Sequence, residues 1–501
     1  MPSVTAVLIA NRGEIAVRII RSCRALGVRA VAVYSEADAD APHVRLADAA
    51  VAIGPAPARA SYLDVAALIA AARASGADAV HPGYGFLSEN AAFARAVADA
   101  GLTFIGPPPA AIAAMGDKVA ARTMMERAGV PVVPASGVLP PDAGAFASAA
   151  AVTGYPVVIK AAAGGGGKGM RIVREATALP DAIRAAAREA TAAFADGRIY
   201  LERYLERPRH VEVQVFGDTH GRLVHLGERE CSIQRRHQKI VEETPSPAVT
   251  PELRAAMTEA AVRAARAVDY VGAGTVEFLL DQHGRFYFLE MNTRLQVEHP
   301  VTEWTTGVDL VREQILVARG APLSFATVTP RGHALECRLY AEDPARQFLP
   351  ATGIVHVLVE PAGAGVRFDG GIARGSVVGV EYDPMLAKIS TWGATREEAR
   401  TRMLAALRET VLLGVVTNRD YLRAVLAHPA FVAGATHTEF LAAHFADWRP
   451  GPGAERARVA IAAALALTSR AVGDSESDGA RRAAASPFAT LGGWRSGGTA
   501  A

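Results

Sequence analysis

The chain has 501 residues, 53 Lys+Arg against 51 Asp+Glu for a net charge of +2, and 50% hydrophobic residues. That length accommodates three or four domains with substantial cores, and so balanced a charge offers no hold on nucleic acid or an anionic membrane. The longest apolar runs are far too short to span a bilayer, the start MPSVTAVLIANRGE carries no secretory signal, and Cys23, Cys231 and Cys337 form neither a metal-ligand spacing nor a disulfide framework. A reducing, cytoplasmic compartment is expected.

Residues 1–115 alternate strands and helices. An apolar strand over 4–10 leads into a helix over 15–26, and strands at 30–34, 79–81 and 102–105 follow with alanine-rich helices between them. This pattern predicts a doubly wound parallel sheet. Gly13 follows the first strand alone, without G-x-G-x-x-G, so nicotinamide binding is poorly supported. The loop HPGYGFLSEN (81–90) leaves the carboxyl end of a strand, where such sheets place ligands; a purely structural turn reads equally well.

Met115-Gly116-Asp117-Lys118 opens a helix, and Lys118 near a helix start can meet a phosphate. Pro131, Pro134, Pro140 and Pro141 mark a boundary, beyond which a smaller α+β lid is expected over about 131–204. Within it a strand ends in Lys160, and the glycine run 164–169 precedes another strand. The P-loop pattern fails because Lys168 is followed by Gly169, which leaves a mobile loop whose backbone amides can close over phosphates. Residues 200–205 read as a connecting strand. In 210–215 (HVEVQV) polar and valine positions alternate, which predicts a half-buried strand with one wet face. The cluster ERECSIQRRHQK (228–239) lacks interleaved aromatics, so an anion site explains it better than a nucleic-acid patch.

Residues 275–300 carry the densest pattern. Apolar stretches at 275–280 and 285–291 read as a hairpin, and a two-residue His283-Gly284 loop sets Glu277 directly across from Glu290. Asn292 and Arg294 then share their face, as do Gln296 and Glu298 if the chain stays extended. Facing carboxylates resist joint ionisation unless a cation lies between them, and Mg²⁺ holding phosphates is the natural occupant. A solvated outer face is the alternative. The chain has only five lysines, Lys118, Lys160, Lys168, Lys239 and Lys388, and the first four fall in these segments, where a compact point charge serves better than the Arg fork. A strand over 331–339 holds Glu336 and Arg338; 382–388 reads as the start of another strand. Helices near 395–412 and 418–426 close the domain near 446. Beyond, 450–453 reads as linker, a short helix is expected over 454–466, and the Ser/Gly/Ala/Arg-rich composition of the tail predicts disorder.

Phe288-Leu289-Glu290-Met291-Asn292-Thr293-Arg294 resembles the metal-binding signature of ATP-grasp enzymes of the biotin carboxylase and carbamoyl-phosphate synthetase branch. Its continuation, Leu295 to Pro300, resembles biotin carboxylase in particular, as do 81–90 and 382–388. The resemblance covers roughly residues 1–446 and implies an α/β and α+β multidomain fold. Its parts are an N-terminal doubly wound parallel-sheet (pre-ATP-grasp) domain over 1–115, an ATP-grasp domain with its lid over 116–330, and a mixed α/β C-terminal domain over 331–446. A linker and tail fill 447–501.

The activity implied is carboxylation of biotin on a biotin carboxyl carrier protein, through carboxyphosphate, using ATP, Mg²⁺ (or Mn²⁺) and bicarbonate. A carboxyltransferase subunit is the implied further partner and a homodimer the implied assembly. With no lysine after Lys388, the carrier is expected to lie elsewhere. The catalytic set implied is Glu298 as general base, Arg294 on bicarbonate, Lys239 on phosphate and Arg338 on the biotin enolate. Metal ligands would be Glu277, Glu290 and Asn292. Nucleotide contacts would be Lys118, Lys160, Gly165, Gly166, Gly167, Glu202, Leu205, His210, Gln234, His237, Leu279, Gln296 and Val297. A different ATP-grasp ligase and a non-catalytic scaffold are the rival readings; intact Glu298 and Lys239 argue against the second.

Overall fold

Strand β1 (Ala6–Ile9) is buried along its whole length, as a parallel strand covered by helices on both faces must be. The computed structural model describes residues 4–139, 142–162, 170–194, 196–451 and 461. After β1 the helix Gly13–Ala25 turns Ile15, Ile19, Ile20 and Cys23 inward. Strands β2 (Arg29–Tyr34), β3 (Ala49–Ala52), β4 (Ala79–His81) and β5 (Thr103–Phe104) complete a parallel sheet in the order β3-β2-β1-β4-β5. The doubly wound expectation is realised, with one strand more than the sequence announced. β3 is an edge strand of three alanines and a valine, a composition with little β propensity.

The order reverses between β1 and β4, and the loops after these two strands meet there. Asn11 Nδ2 donates to the carbonyls of Pro82 and Tyr84, both at 2.7 Å. Gly83 sits at φ +63° with Asn11 packed so close that an added Cβ would lie 2.9 Å from its amide nitrogen.

A second, four-stranded sheet runs β6 (Ala135–Leu139), β7 (Val157–Ala161), β8 (Arg171–Val173) and β9 (Ile199–Arg203) in the order β6-β9-β7-β8. Phe146, Ile159, Ile183 and Leu201 form its core with two helices. The glycines Gly165, Gly166 and Gly167 and Lys168 lie outside the described residues, as does nearly all of the tail.

The largest sheet has eight antiparallel strands. β10 (Arg209–Gly217), β11 (Leu223–Arg235), β12 (Gln238–Thr244), β13 (Gly272–Leu280), β14 (Phe286–Asn292) and β15 (His333–Tyr340) are joined by Met385–Gly393 and Val366–Gly370. The spatial order is β14-β13-β10-β11-β12-β15, then those last two strands. Residues on both sides of 330 thus build one ladder, through the β12–β15 pairing.

Two expectations are corrected here. The hairpin loop has three residues, since Asp281 N–H donates to the Arg285 carbonyl and Gly284 takes φ +77°. Leu280 then pairs with Phe286, and a bulge at Leu289 restores the Glu277–Glu290 pairing. The face of β10 expected to be wet is buried: His210, Glu212 and Gln214 are 6%, 0% and 0% exposed. Arg229 explains why, because from β11 its buried guanidinium satisfies that face, donating to Glu212 at 2.6 Å, Gln214 at 2.7 Å and Thr275 at 3.0 Å.

Candidate active site

The polar face of the large sheet floors a cavity of about 1450 Å³. Its walls come from the β1 and β4 loops, from β7 and β9, and from residues 288–297. Every described residue named above as catalytic, nucleotide-binding or metal-binding lines it, except Glu298, which is fully buried behind it.

Lys239 is the hub. The β11–β12 turn places Arg236 and His237 in left-handed conformations (φ 48° and 68°), a two-residue hairpin turn, and returns Lys239 opposite Gln234. Its ammonium donates to Glu212 at 2.5 Å, Glu298 at 2.7 Å and Glu277 at 2.9 Å, so all three N–H bonds end on carboxylates. Burial opposes the charge of Lys239, but the three anions outweigh it and push its pKa well up.

Glu277 collects further donors on the same oxygen, from Asn292 at 2.9 Å and Gln296 at 2.9 Å, while His210 Nε2 lies 2.9 Å from the other. Burial would raise its pKa; Lys239 and His210 hold it well below the carboxylate range. Glu298 is held in the same way. Burial acts against ionisation, and Lys239, Arg338 and Arg229 overcome it. Arg338 bridges Glu298, at 3.1 Å, and Glu242, at 2.6 Å.

Arg294 is held in a fork by Glu89 at 2.9 Å, Asn292 at 2.9 Å and Gln296 at 3.1 Å. Glu89 also accepts from Thr293 N–H at 3.0 Å. The 81–90 loop, which the sequence left open between ligand and structure, therefore fixes a site arginine. Lys118 heads the helix Lys118–Arg127, capped by Asp117, and its ammonium lies 3.5 Å from Glu290. Across the lid sheet Lys160 donates to Glu202 at 2.5 Å. Leu205, Gln234, His237, Leu279 and Val297 line the same cavity.

Sequence reasoning missed Glu212, Arg229, Glu242, Glu89 and Lys388 as members of this assembly. Parity did place Glu212 beside His210, and Glu89 stood in a quoted motif. Lys388, read only as part of the start of a strand, is buried, with its ammonium 2.6 Å from the Val297 carbonyl and 3.3 Å from Glu14. Nothing in local sequence signals that long-range contact.

Glu277, Glu290 and Asn292 form an all-oxygen donor set on paired strands, with Glu290 part-exposed towards the cavity, which suits a hard divalent cation. In two other groupings among the described residues, His210/Glu212/Glu277 and Glu212/Cys231/Glu298, the Lys239 ammonium already takes two carboxylates, whereas of the Glu277/Glu290/Asn292 set it takes Glu277 alone.

A cavity over a large antiparallel sheet, with a small second sheet beside it, fits the ATP-grasp class, to which the family matches assign the chain. Three families match in chain order: "Biotin carboxylase, N-terminal domain" over residues 3–112, "Carbamoyl-phosphate synthase L chain, ATP binding domain" over 117–326, and "Biotin carboxylase C-terminal domain" over 336–443. The chain belongs to the biotin carboxylase family. It is 52% identical over 438 residues to biotin carboxylase of Haemophilus influenzae, covering 87% of this chain and 97% of that one. It is 50% identical over 451 residues to the mitochondrial methylcrotonoyl-CoA carboxylase subunit alpha of Mus musculus, covering 89% of this chain but spanning only 63% of that relative. The crystal structure of a Campylobacter jejuni biotin carboxylase–β-γ-ATP complex superimposes with a TM-score of 0.85 at 45% identity, covering 88% of this chain and 99% of that one. The biotin carboxylase domain of Hydrogenobacter thermophilus 2-oxoglutarate carboxylase, a dimer solved with MgADP, ADP and bicarbonate, gives 0.84 at 43% identity, covering 89% and 99%.

Proposed function

We propose that this chain is a biotin carboxylase, a ligase that uses ATP and bicarbonate to form a C–N bond to biotin presented on a carrier protein. The observation that carries this reading is the contact of Glu298, buried just behind the cavity wall, with Lys239 and Arg338, which line a cavity wide enough for a nucleotide. The nucleotide and bicarbonate bound in crystal structures of its relatives support it.

In this reading Arg294, its fork preset by Glu89, Asn292 and Gln296, holds bicarbonate by two N–H bonds. Glu298 takes the bicarbonate proton as the oxygen attacks the γ-phosphorus; the bond to the β-phosphate oxygen breaks, leaving ADP and carboxyphosphate. A carboxylate held so far below its usual range is ionised but weakly basic. Its basicity rises when an incoming phosphate draws the Lys239 ammonium away, so proton abstraction is coupled to substrate loading. Lys118, Lys160 and His210 meet the phosphates. Mg²⁺ or Mn²⁺ held by Glu277, Glu290 and Asn292 supplies charge neutralisation at the phosphates. Arg338 then stabilises the biotin enolate oxygen.

The boundaries between family matches support domain limits near 115 and 330, with the lid sheet inside 131–204. A carboxyltransferase partner, a homodimer and a cytoplasmic location complete the proposal; among the described residues no helix is long and apolar enough to cross a membrane. The test is incorporation of isotopic bicarbonate into free biotin. Label fixed only with ATP, Mg²⁺ and biotin together supports the reading. ATP turnover that fixes label into some other acceptor overturns the substrate assignment.

A further inference from the structure

Behind Arg338 the β12–β15 ladder holds a second pair of acids. Glu242 and Glu336 are direct cross-strand partners, and both are 0% exposed. Such partners have Cβ atoms about 4.5–5.5 Å apart on one face, which is close enough for their carboxyl groups to meet. Among the described residues, Glu242 Oε2 and both oxygens of Glu336 have no hydrogen-bond partner. The fourth oxygen, Glu242 Oε1, accepts from Arg338 Nε at 2.6 Å.

Burial raises Glu336, and the nearby cations Lys388 and Arg338 offset it only in part. On β15 Arg338 is committed to Glu242 and Glu298. Lys388, on the neighbouring strand, spends its ammonium on the Val297 carbonyl and Glu14. Asp369, one strand further, adds another anion and is paired with Arg367 and Arg21. From the helix His299–Thr306, Glu303 pairs with Arg18 and Arg367, while His299 is held neutral by burial and by nearby Lys388, Arg18 and Arg367. Ser390 faces Glu336 in register and carries no charge.

We infer that Glu242 and Glu336 share one proton, with the Glu336 O–H donating to Glu242 Oε2, and that this acid pair is a positioning device for Arg338. One proton satisfies two of the three orphaned oxygens and removes a buried repulsion between carboxylates. Burial raises both groups, Glu242 to about 7 despite Arg338, and Glu336 well above the ordinary range. With the proton in place Arg338 faces one anion beneath it and keeps its pull towards the cavity. Loss of the proton sets a second anion under the guanidinium and draws it back into the ladder. The role for Arg338 rests on the biotin reading; the shared proton does not.

Infrared spectra of the intact protein decide the proton directly. A carbonyl band of a protonated carboxylic acid is expected near pH 8, absent from Glu336→Gln and titrating away at higher pH. Over that same alkaline limb, biotin-dependent kcat/KM of the wild type is expected to fall about tenfold per pH unit, whereas Glu336→Gln, whose amide still donates, stays within about twofold. Absence of the acid band in wild type, or an alkaline limb identical in the variant, overturns the inference. If biotin stimulates no turnover at all, the functional reading fails while the infrared band still decides the shared proton.

Discussion

Replacing Lys239 by methionine removes the ammonium that three carboxylates share. At an effective dielectric of about 20, each contact of roughly 2.7 Å is worth about 6 kcal/mol of gross attraction, most of it offset by the desolvation of the ions. Leaving Glu212, Glu277 and Glu298 buried around a thioether is therefore expected to destabilise the fold by about 3–5 kcal/mol near pH 8, the range for a broken buried ion pair. The pH dependence is the sharper test. In the wild type Glu277 and Glu298 have lowered pKa values, so their contribution is present above the ordinary carboxylate range and fades only as pH falls through the lowered values. In the variant the same groups rise above that range, and protons replace the missing ammonium as pH falls. Urea midpoints for both proteins from about pH 8 to about pH 5 should show the gap narrowing. A gap that stays constant, or widens towards acid, refutes the three-carboxylate account of Lys239.

Other outcomes follow from the same contacts. Glu89→Gln leaves Arg294 its two amide partners but removes the charge-assisted one, so KM for bicarbonate should rise about tenfold with a smaller change in kcat, read from initial rates of ADP release. Glu243 lies between His333 at 2.8 Å and Arg396 at 2.6 Å; burial opposes its ionisation, but these partners hold its pKa below the ordinary range. Its stabilisation is present above that range and lost as pH falls through the lowered value, so Glu243→Gln should cost about 3 kcal/mol at neutral pH and progressively less in acid, by thermal melts across pH. Chelation of divalent metal should abolish ADP release, and Glu290→Gln should raise the Mg²⁺ concentration needed to restore it by about tenfold.

The parallel sheet, the lid strands and the Glu277–Glu290 pair were legible because each rests on local pattern: an apolar run, a strand ending in lysine, two paired strands around a glycine turn. The pairing came out right although the loop is one residue longer than expected, because the bulge at Leu289 compensates. What stayed hidden depends on distant chain. The alternation of 210–215 reads as a wet face until Arg229 arrives from the next strand to satisfy it. Glu242 and Glu336 stand 94 positions apart in a ladder that crosses the expected domain limit at 330, so no window shows that they face each other. Lys388 likewise reaches Val297 only after the chain has folded back through the third domain.

The proposed role of Glu298 is that of the base in an ATP-driven carboxylation of biotin. Bicarbonate-dependent ADP release with Mg-ATP, measured with and without free biotin for wild type and Glu298→Gln, tests it most directly. The account requires turnover in the wild type that biotin stimulates, and its collapse by about 10²-fold or more in the variant with nucleotide binding retained. A Glu298→Gln protein that still releases ADP at the wild-type, biotin-stimulated rate contradicts it.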